Sequence, residues 1–352
     1  MKLQKIAGIL FIIFLVVLIL IKAQSIILPL ILAIILWFLI KEFREFMDKS
    51  HWIKTKIKKW VKTIVATVFL ILILGLVTSL LIQNANKLSG ALPKYSMNLD
   101  KIAQNIESSF GFNISEKVNQ YSGELDFQSL IRIFLDSVSE LFSNAFMILL
   151  YLLFLLMEES TFSRKLKAIY STPDDYEKIN NLLYKIDFSL GKYIAIKTLL
   201  SLITAILSYI ALLALGIDFA IFWAFCIFIL NYIPSIGSLI ATIFPAIMAL
   251  IQYGGSDFMP FFYVLILVGF IQLFVGNFLE PKMMGNSLNI SSLVVILSLS
   301  VWGVIWGVVG MVLSVPITVM MIIVFSNFES TKKIAILLSE KGIINGSKTQ
   351  HE

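Results

Sequence analysis

The chain of 352 residues has a single cysteine, Cys226, and only two histidines, His51 and His351. One cysteine forbids any disulfide within the chain, so an exported segment must hold itself together by packing. Both histidines lie outside the apolar runs, which excludes an imidazole-based metal or catalytic site within a membrane span. Charge is also scarce, at 14% of residues against about 25% in soluble proteins. With 59% hydrophobic residues and a mean hydropathy of +0.92, a soluble globule would have too little polar surface to meet water. Solubility, disorder and nucleic-acid binding are excluded together. The net charge of +6 does not argue for nucleic acid, because much of it sits in two blocks beside apolar runs. There is no GxxxxGK[ST] phosphate loop and no HExxH, and no acidic residue lies deep within an apolar run. An ATP-driven motor, a zinc protease, a serine–histidine site and an intramembrane aspartyl protease are thereby excluded. The chain reads as a non-enzyme without metal or cofactor.

What the sequence has instead is long apolar runs. A transmembrane helix takes about 20 such residues. Ile6–Ile21 is the first candidate, behind Lys2 and Lys5. Ala23-Gln24-Ser25 loosely resembles a signal cleavage site, but Ile26–Ile40 follows at once, and the pair reads as an anchored hairpin. Ile64–Ile82 is the third span; Ala145–Met157, extended back through Leu141, is the fourth; Ile194–Leu215 is the fifth.

The loops set the orientation. Eight basic residues fall between Lys41 and Lys62, and seven between Glu158 and Lys197. The positive-inside rule assigns both loops to the cytoplasm, with both termini on that side. The segment Gln83–Asp136 lies between them and faces outward, with five basic and six acidic residues. Leu99, Ile102, Ile106 and Phe110, then Ile114, Val118, Tyr121 and Leu125, recur at three- and four-residue steps. Short amphipathic helices broken at Pro93, Gly111 and Gly123 are expected there.

The last third differs in kind. Phe219–Gln252 is an apolar stretch of 34 residues, too long for one span and too short for two with a turn. It is interrupted by Asn231-Tyr232-Ile233-Pro234-Ser235-Ile236-Gly237. Phe258–Leu279 is an ordinary span, and Ile290–Phe325 is again too long, with a weak middle at Trp302–Gly307. A shift of 71 residues aligns the two long stretches and sets Pro245 on Pro316. The repeating unit is one helix plus one broken segment. Half-lengths of 12–18 residues correspond to roughly 18–27 Å of helix, which favours two hairpins of opposite orientation with tips near the midplane, in the manner of inverted-repeat transporters.

The breaks supply the candidate site. Irregular backbone at membrane depth must be buried in protein or line a wet cavity. Pro234 removes a donor, Asn231 supplies donors and an acceptor, and Gly237 permits a turn or a close approach, together a nest for a solute. Gln272, Asn277, Glu280, Pro281 and Lys282 cluster at the end of the Phe258–Leu279 span as candidate solute or coupling residues. Asp218 and Asp257 read as solvated boundary residues. Gly303 and Gly307 form a GxxxG pair followed by Gly310, and with Pro316 they suggest a helix-packing or sliding face.

The expected fold is an all-α integral membrane protein of about eight membrane segments. It divides into three N-terminal helices with a basic loop (1–82), an outer helical segment (83–136), a fourth helix with its loop (137–193), a transport core (194–326) and a tail (327–352).

The runs Gly191-Lys192-Tyr193-Ile194, Leu215-Gly216-Ile217, Asn231–Gly237, Glu280-Pro281-Lys282-Met283-Met284-Gly285-Asn286-Ser287-Leu288 and Trp306–Pro316, in this order, resemble the autoinducer-2 exporter family of bacterial membrane transport proteins. The N-terminal half resembles it only in architecture. The resemblance implies a multi-pass protein of the bacterial cell membrane, a homo-oligomer in the lipid bilayer, exporting a small polar solute such as autoinducer-2. It extends the site to Gly285. Some members resemble sodium or lithium/proton antiporters, and a non-transporting scaffold is the third reading. Asn286 stands where a basic residue is common in the family.

Overall fold

The computed structural model describes residues 2–110, 144–170, 172–255, 257–284, 289–340 and 342. Gly285 and Asn286, the stretch 111–125 with Gly111 and Gly123, and the tail residues Lys341 and Lys348 lie outside the described residues. The described residues are helical: α1 (Lys2–Lys22), α2 (Gln24–Met47), α3 (His51–Lys56), α4 (Lys59–Phe110), α5 (Ala145–Ile169), α6 (Pro173–Ala214), α7 (Ala220–Leu230), α8 (Ile236–Gln252), α9 (Met259–Phe274), a π-helical turn (Val275–Leu279), α10 (Glu280–Met284), α11 (Ser292–Ser326) and α12 (Lys332–Leu338). Six helices among them are long and apolar enough to cross a membrane, and Ala7–Lys22, α7 and α8 are shorter apolar helices.

Local chemistry sets several boundaries. Before α6, the Asp175 amide donates to the Thr172 hydroxyl, which in turn donates to the Asp175 carboxylate, and Pro173 opens the helix. Proline loses nothing in the first turn, where its N–H would have no partner. Asp257 caps α9 by accepting the Met259 amide at 2.8 Å.

The chain forms two compact units. One contains Met1–Ala66, Ser143–Ala195 and Met284–Glu352; the other contains Thr67–Phe142 and Ile196–Met283. The expected transport core is thus divided, with each long apolar stretch in a different unit.

In the first unit, α2 packs on α5, burying Ala33, Phe38, Ile148 and Leu152. Arg44 grips Glu159 with two bonds of 3.1 and 2.8 Å, and Lys59 joins at 2.9 Å. Ion pairs Lys41–Asp187 and Lys62–Asp48 flank them. Many charges of the basic loops are therefore held by carboxylates. Helix α11 is broken at Trp306 (φ −131°, ψ 18°) and Gly307 (φ 60°, ψ −141°), the second a backbone conformation suited to glycine. The Ser298 hydroxyl bonds the Ser314 carbonyl and lies 2.5 Å from the Thr318 hydroxyl. A straight helix would separate residues 298 and 314 by about 24 Å, so α11 is a hairpin. The Trp306 indole at its tip donates to the Leu20 carbonyl at 3.0 Å, and the cluster of Ile305, Trp306 and Leu313 packs with Leu20, Ile27 and Ile31.

In the second unit, α7 and α8 form another hairpin. The Gln252 side chain donates to the Gly216 carbonyl at 2.8 Å and accepts the Asp218 amide at 2.7 Å. Its amide thus closes the mouth, joining the end of α8 to the start of α7. Both long stretches fold as hairpins, each with the length mismatch that the sequence shows.

Two expectations need correction. The outer segment is not broken at Pro93, because α4 runs through it as one helix of 52 residues. Proline holds φ near helical values and forfeits one hydrogen bond, a loss that the 52-residue helix carries at the exposed Pro93. The stretch of α4 beyond Asn84 stands against the mouth of the α7–α8 hairpin. The Tyr95 hydroxyl donates to Asp218 at 2.8 Å, the Asn98 amide donates to the carbonyls of Ile251 and Gln252, and Ile102 covers Gly255. Burial, with Asp218 beside it, pushes the Tyr95 hydroxyl well above its usual pKa. Asp218 is thus a bonded residue of the mouth, not merely a solvated one. The GxxxG pair is the second correction. The break falls between its members, so Gly303 and Gly307 do not share a helix face.

Candidate functional site

The tip of the α7–α8 hairpin is irregular backbone held by named contacts. Asn231 ends α7, with its amide on the Ile227 carbonyl. Ser235 takes φ 59°, ψ −56°, and the Ile236 amide reaches back to the Pro234 carbonyl at 2.6 Å. That is a γ-turn with positive φ, a strained conformation for a residue with a side chain. Proline before it favours the sharp reversal by fixing its own φ and offering no N–H. Gly237 completes the turn for a steric reason, since a Cβ there would stand 1.8 Å from the Leu230 carbonyl oxygen. Backbone strain kept in a tip this confined is the kind of outlier from which a functional hypothesis starts.

A polar stripe on α6 faces this tip. Lys197, Ser201, Thr204 and Ser208 recur at steps of four, three and four, which places them on one helix face. All four are buried, the last three completely. The Asn231 amide donates to Ser201 at 3.3 Å and Thr204 at 3.4 Å, and the hydroxyls of Thr198 and Tyr232 lie 2.7 Å apart. Ser201 lies thirteen residues from the end of α6 at Ala214, so the tip sits about 20 Å from the hairpin mouth. That depth lies well inside a bilayer core of about 30 Å.

Helix α9 supplies the remaining groups. It packs on α8, where Gly269 approaches Thr242. Gln272 follows one turn on and is buried, and its side-chain nitrogen has no partner among the described residues. The Ser208 hydroxyl and the Trp223 indole nitrogen, both buried, are likewise unpartnered among them. Buried polar groups are rarely left unsatisfied, so such a set points to water or solute. Glu280 follows the π turn, and its carboxylate meets Lys197 at 2.6 Å.

Asn231, Gly237 and Gln272 are buried, Asn231 bonds α6, and Glu280 is paired with Lys197 of α6, with Pro234 in the tip backbone. Asn277, Pro281 and Lys282 are exposed, unlike Gln272 and Glu280 of the same cluster. Gly303 contacts Met311 across its own hairpin, and a Cβ at Gly310 would stand 1.9 Å from the Trp302 carbonyl oxygen. Pro316 lies within the second arm of α11. Sequence reasoning missed Lys197, Thr198, Ser201, Thr204 and Ser208. Their helical spacing inside an apolar run was the available signal, and Lys197 was instead counted with the basic loop. Among the described residues no group of three or more His, Cys, Asp or Glu could hold a metal ion. The site offers hydrogen bonds from hydroxyls, amides and backbone, with one ion pair at its edge.

Known proteins are similar to this chain in sequence. The profile of the family described as AI-2E family transporter matches residues 9–330. The AI-2 transport protein TqsA of Escherichia coli strain K12 is 31% identical over 324 residues, covering 90% of each chain. A Haemophilus influenzae protein whose name gives transport and no substrate is 34% identical over 292 residues, 81% of this chain and 83% of its own. YhhT of Escherichia coli strain K12, also named for transport, is 31% identical over 284 residues, 78% of each. With a hairpin-bearing apolar core and a match along nearly its whole length, the chain is a multi-pass membrane protein of the AI-2E transporter family.

Proposed function

We propose that this chain is a secondary transporter that exports a small polar solute and that its solute site is the α7–α8 tip. The observation that carries the reading is the γ-turn at Ser235 beside buried Asn231, about 20 Å from the hairpin mouth and faced by Ser201 and Thr204. Amides and hydroxyls suit a neutral, hydroxyl-rich cargo. The likeness to an AI-2 transport protein makes autoinducer-2 the first cargo to test. The basic loops are cytoplasmic in this reading, as are both termini, and the working form is a homo-oligomer. The two hairpins are inverted repeats, each preceded by one crossing helix. Their matching closure supports the repeat itself, since in each a glycine of the second arm abuts a carbonyl at the end of the first. Gly310 lies two positions beyond the place that the shift of 71 assigns to Gly237.

Uptake of autoinducer-2 into proteoliposomes, with and without a pH gradient, tests the reading. Saturable flux lost in Asn231→Leu supports it; absence of flux for any small solute leaves a scaffold. A second reading, sodium or lithium/proton antiport, draws on the Glu280 carboxylate at the edge of the site, and cation-driven proton movement in the same vesicles would favour it.

A further inference from the structure

We propose that the Lys197 ammonium is a tethered cation that occupies the place an alkali cation would take at Glu280, so that this chain works without sodium or lithium. The proposal rests on the transport reading only for what the site serves; its test needs no flux.

The pair is built rather than incidental. Lys197 has a side chain 6% exposed and Glu280 one 26% exposed, with 2.6 Å between Nζ and Oε1. A buried ammonium needs a counter-charge close by, and Glu280 supplies it. Lys197 is the first member of the α6 stripe, one turn before Ser201, which bonds Asn231. The carboxylate is therefore at the edge of the candidate solute site, where a co-transported cation would be expected to bind.

The π turn places it there. The Glu280 amide bonds the Val275 carbonyl, five residues back. Pro281, the next residue, has no N–H to continue an ordinary ladder. In an unbroken α-helix, Glu280 would lie about 80° round from Gln272, and apolar Leu279 would share the Gln272 face within about 20°. The inserted residue of a π turn rotates the following chain back by about 100°. Glu280 thereby takes the position that Leu279 would have held, on the buried face with Gln272 and toward Lys197. A hard monovalent cation seeks a carboxylate and several oxygens. Here a single positive charge is already delivered to that carboxylate by the chain itself.

The test is thermal unfolding of the purified full-length protein in detergent, titrated with sodium or lithium chloride against choline chloride at constant ionic strength. The wild type is expected to show the same Tm in all three salts. Lys197→Met, which leaves the carboxylate without its ammonium, is expected to gain a saturable rise of at least about 2 °C with sodium or lithium. The double variant Lys197→Met/Glu280→Gln is expected to lose that rise. A saturable sodium response in the wild type that disappears in Glu280→Gln overturns the proposal. So does a folded Lys197→Met with no cation response. Where Lys197→Met does not fold, Lys197→Gln and the wild-type titration carry the same decision. A wild type indifferent to sodium but without solute flux would count against the transport reading alone.

Discussion

Gly237 lies against Leu230 so closely that a Cβ on it would stand 1.8 Å from the Leu230 carbonyl oxygen. The obstacle is backbone, so no rotamer change can relieve it. Gly237→Ala must open the hairpin or move α8, and overpacking of this kind costs about 1–3 kcal/mol or more. Gly310→Ala meets the Trp302 carbonyl oxygen at 1.9 Å in the other hairpin and should behave alike. Gly75→Ala, which meets nothing within 4 Å, should be neutral. Monodispersity and Tm in detergent would rank the three.

Asn231 can be tested at constant fold. Asn231→Leu removes the bonds to Ser201 and Thr204 but keeps side-chain bulk. We expect the amount of folded protein to stay within about twofold and flux to fall by at least about tenfold, the equivalent of roughly 1.4 kcal/mol. Undiminished flux with a normal level of folded protein would make Asn231 a patch on the turn and no more.

The bidentate Arg44–Glu159 pair joins α2 to α5, with side chains 8% and 16% exposed. Removing Arg44 takes two bonds from Glu159 and leaves it to Lys59 and the Trp37 indole, at a cost below the roughly 3 kcal/mol of a buried charge left with no partner. Arg44→Ala should lower Tm more than Lys59→Ala, because Lys59 is 72% exposed. A swapped pair, Arg44→Glu with Glu159→Arg, should recover part of the loss. Equal effects of Arg44→Ala and Lys59→Ala would show that the bidentate geometry adds nothing.

Tyr95 predicts an alkaline signature. Its folded pKa is raised, first by burial and then by Asp218. A raised folded pKa means that the stability it lends is full below the free tyrosine value of about 10 and is lost as pH climbs beyond it. Tyr95→Phe should therefore lower Tm by a constant amount near neutrality, and the gap to wild type should narrow only at strongly alkaline pH. A gap that closes already near pH 8 would contradict the assignment.

Topology is open to labelling. Ser108 and Lys56 are both exposed, and the native Cys226 is buried. An impermeant thiol reagent should modify Ser108→Cys, but not Lys56→Cys, in intact cells. Labelling of Lys56→Cys from outside would reverse the orientation.

Much of this was legible in the chain because membrane folding is strongly constrained by composition. An apolar run must form a helix in lipid, so run lengths locate helices. The two runs of awkward length, with Pro234 and Gly307 in their weak middles, could be read as hairpins without coordinates. The motif runs were enough to suggest the family. Other features depend on what meets what in three dimensions. Pro93 resembles a break in sequence, yet α4 passes through it, because proline holds a helical φ and removes only one bond from a long helix. Gly303 and Gly307 look like one packing face only if the helix is continuous, and the break at Trp306–Gly307 separates them. Most telling is the position of Glu280. Counting along an ideal helix turns it away from Gln272, and Lys197 belongs by count to a basic loop. The π turn rotates the one and burial in α6 claims the other. Composition and spacing determined that the chain crosses membranes and where its two overlong apolar stretches break. Only tertiary packing decided which polar groups the breaks bring together, because that depends on register shifts and close approaches that no run length encodes.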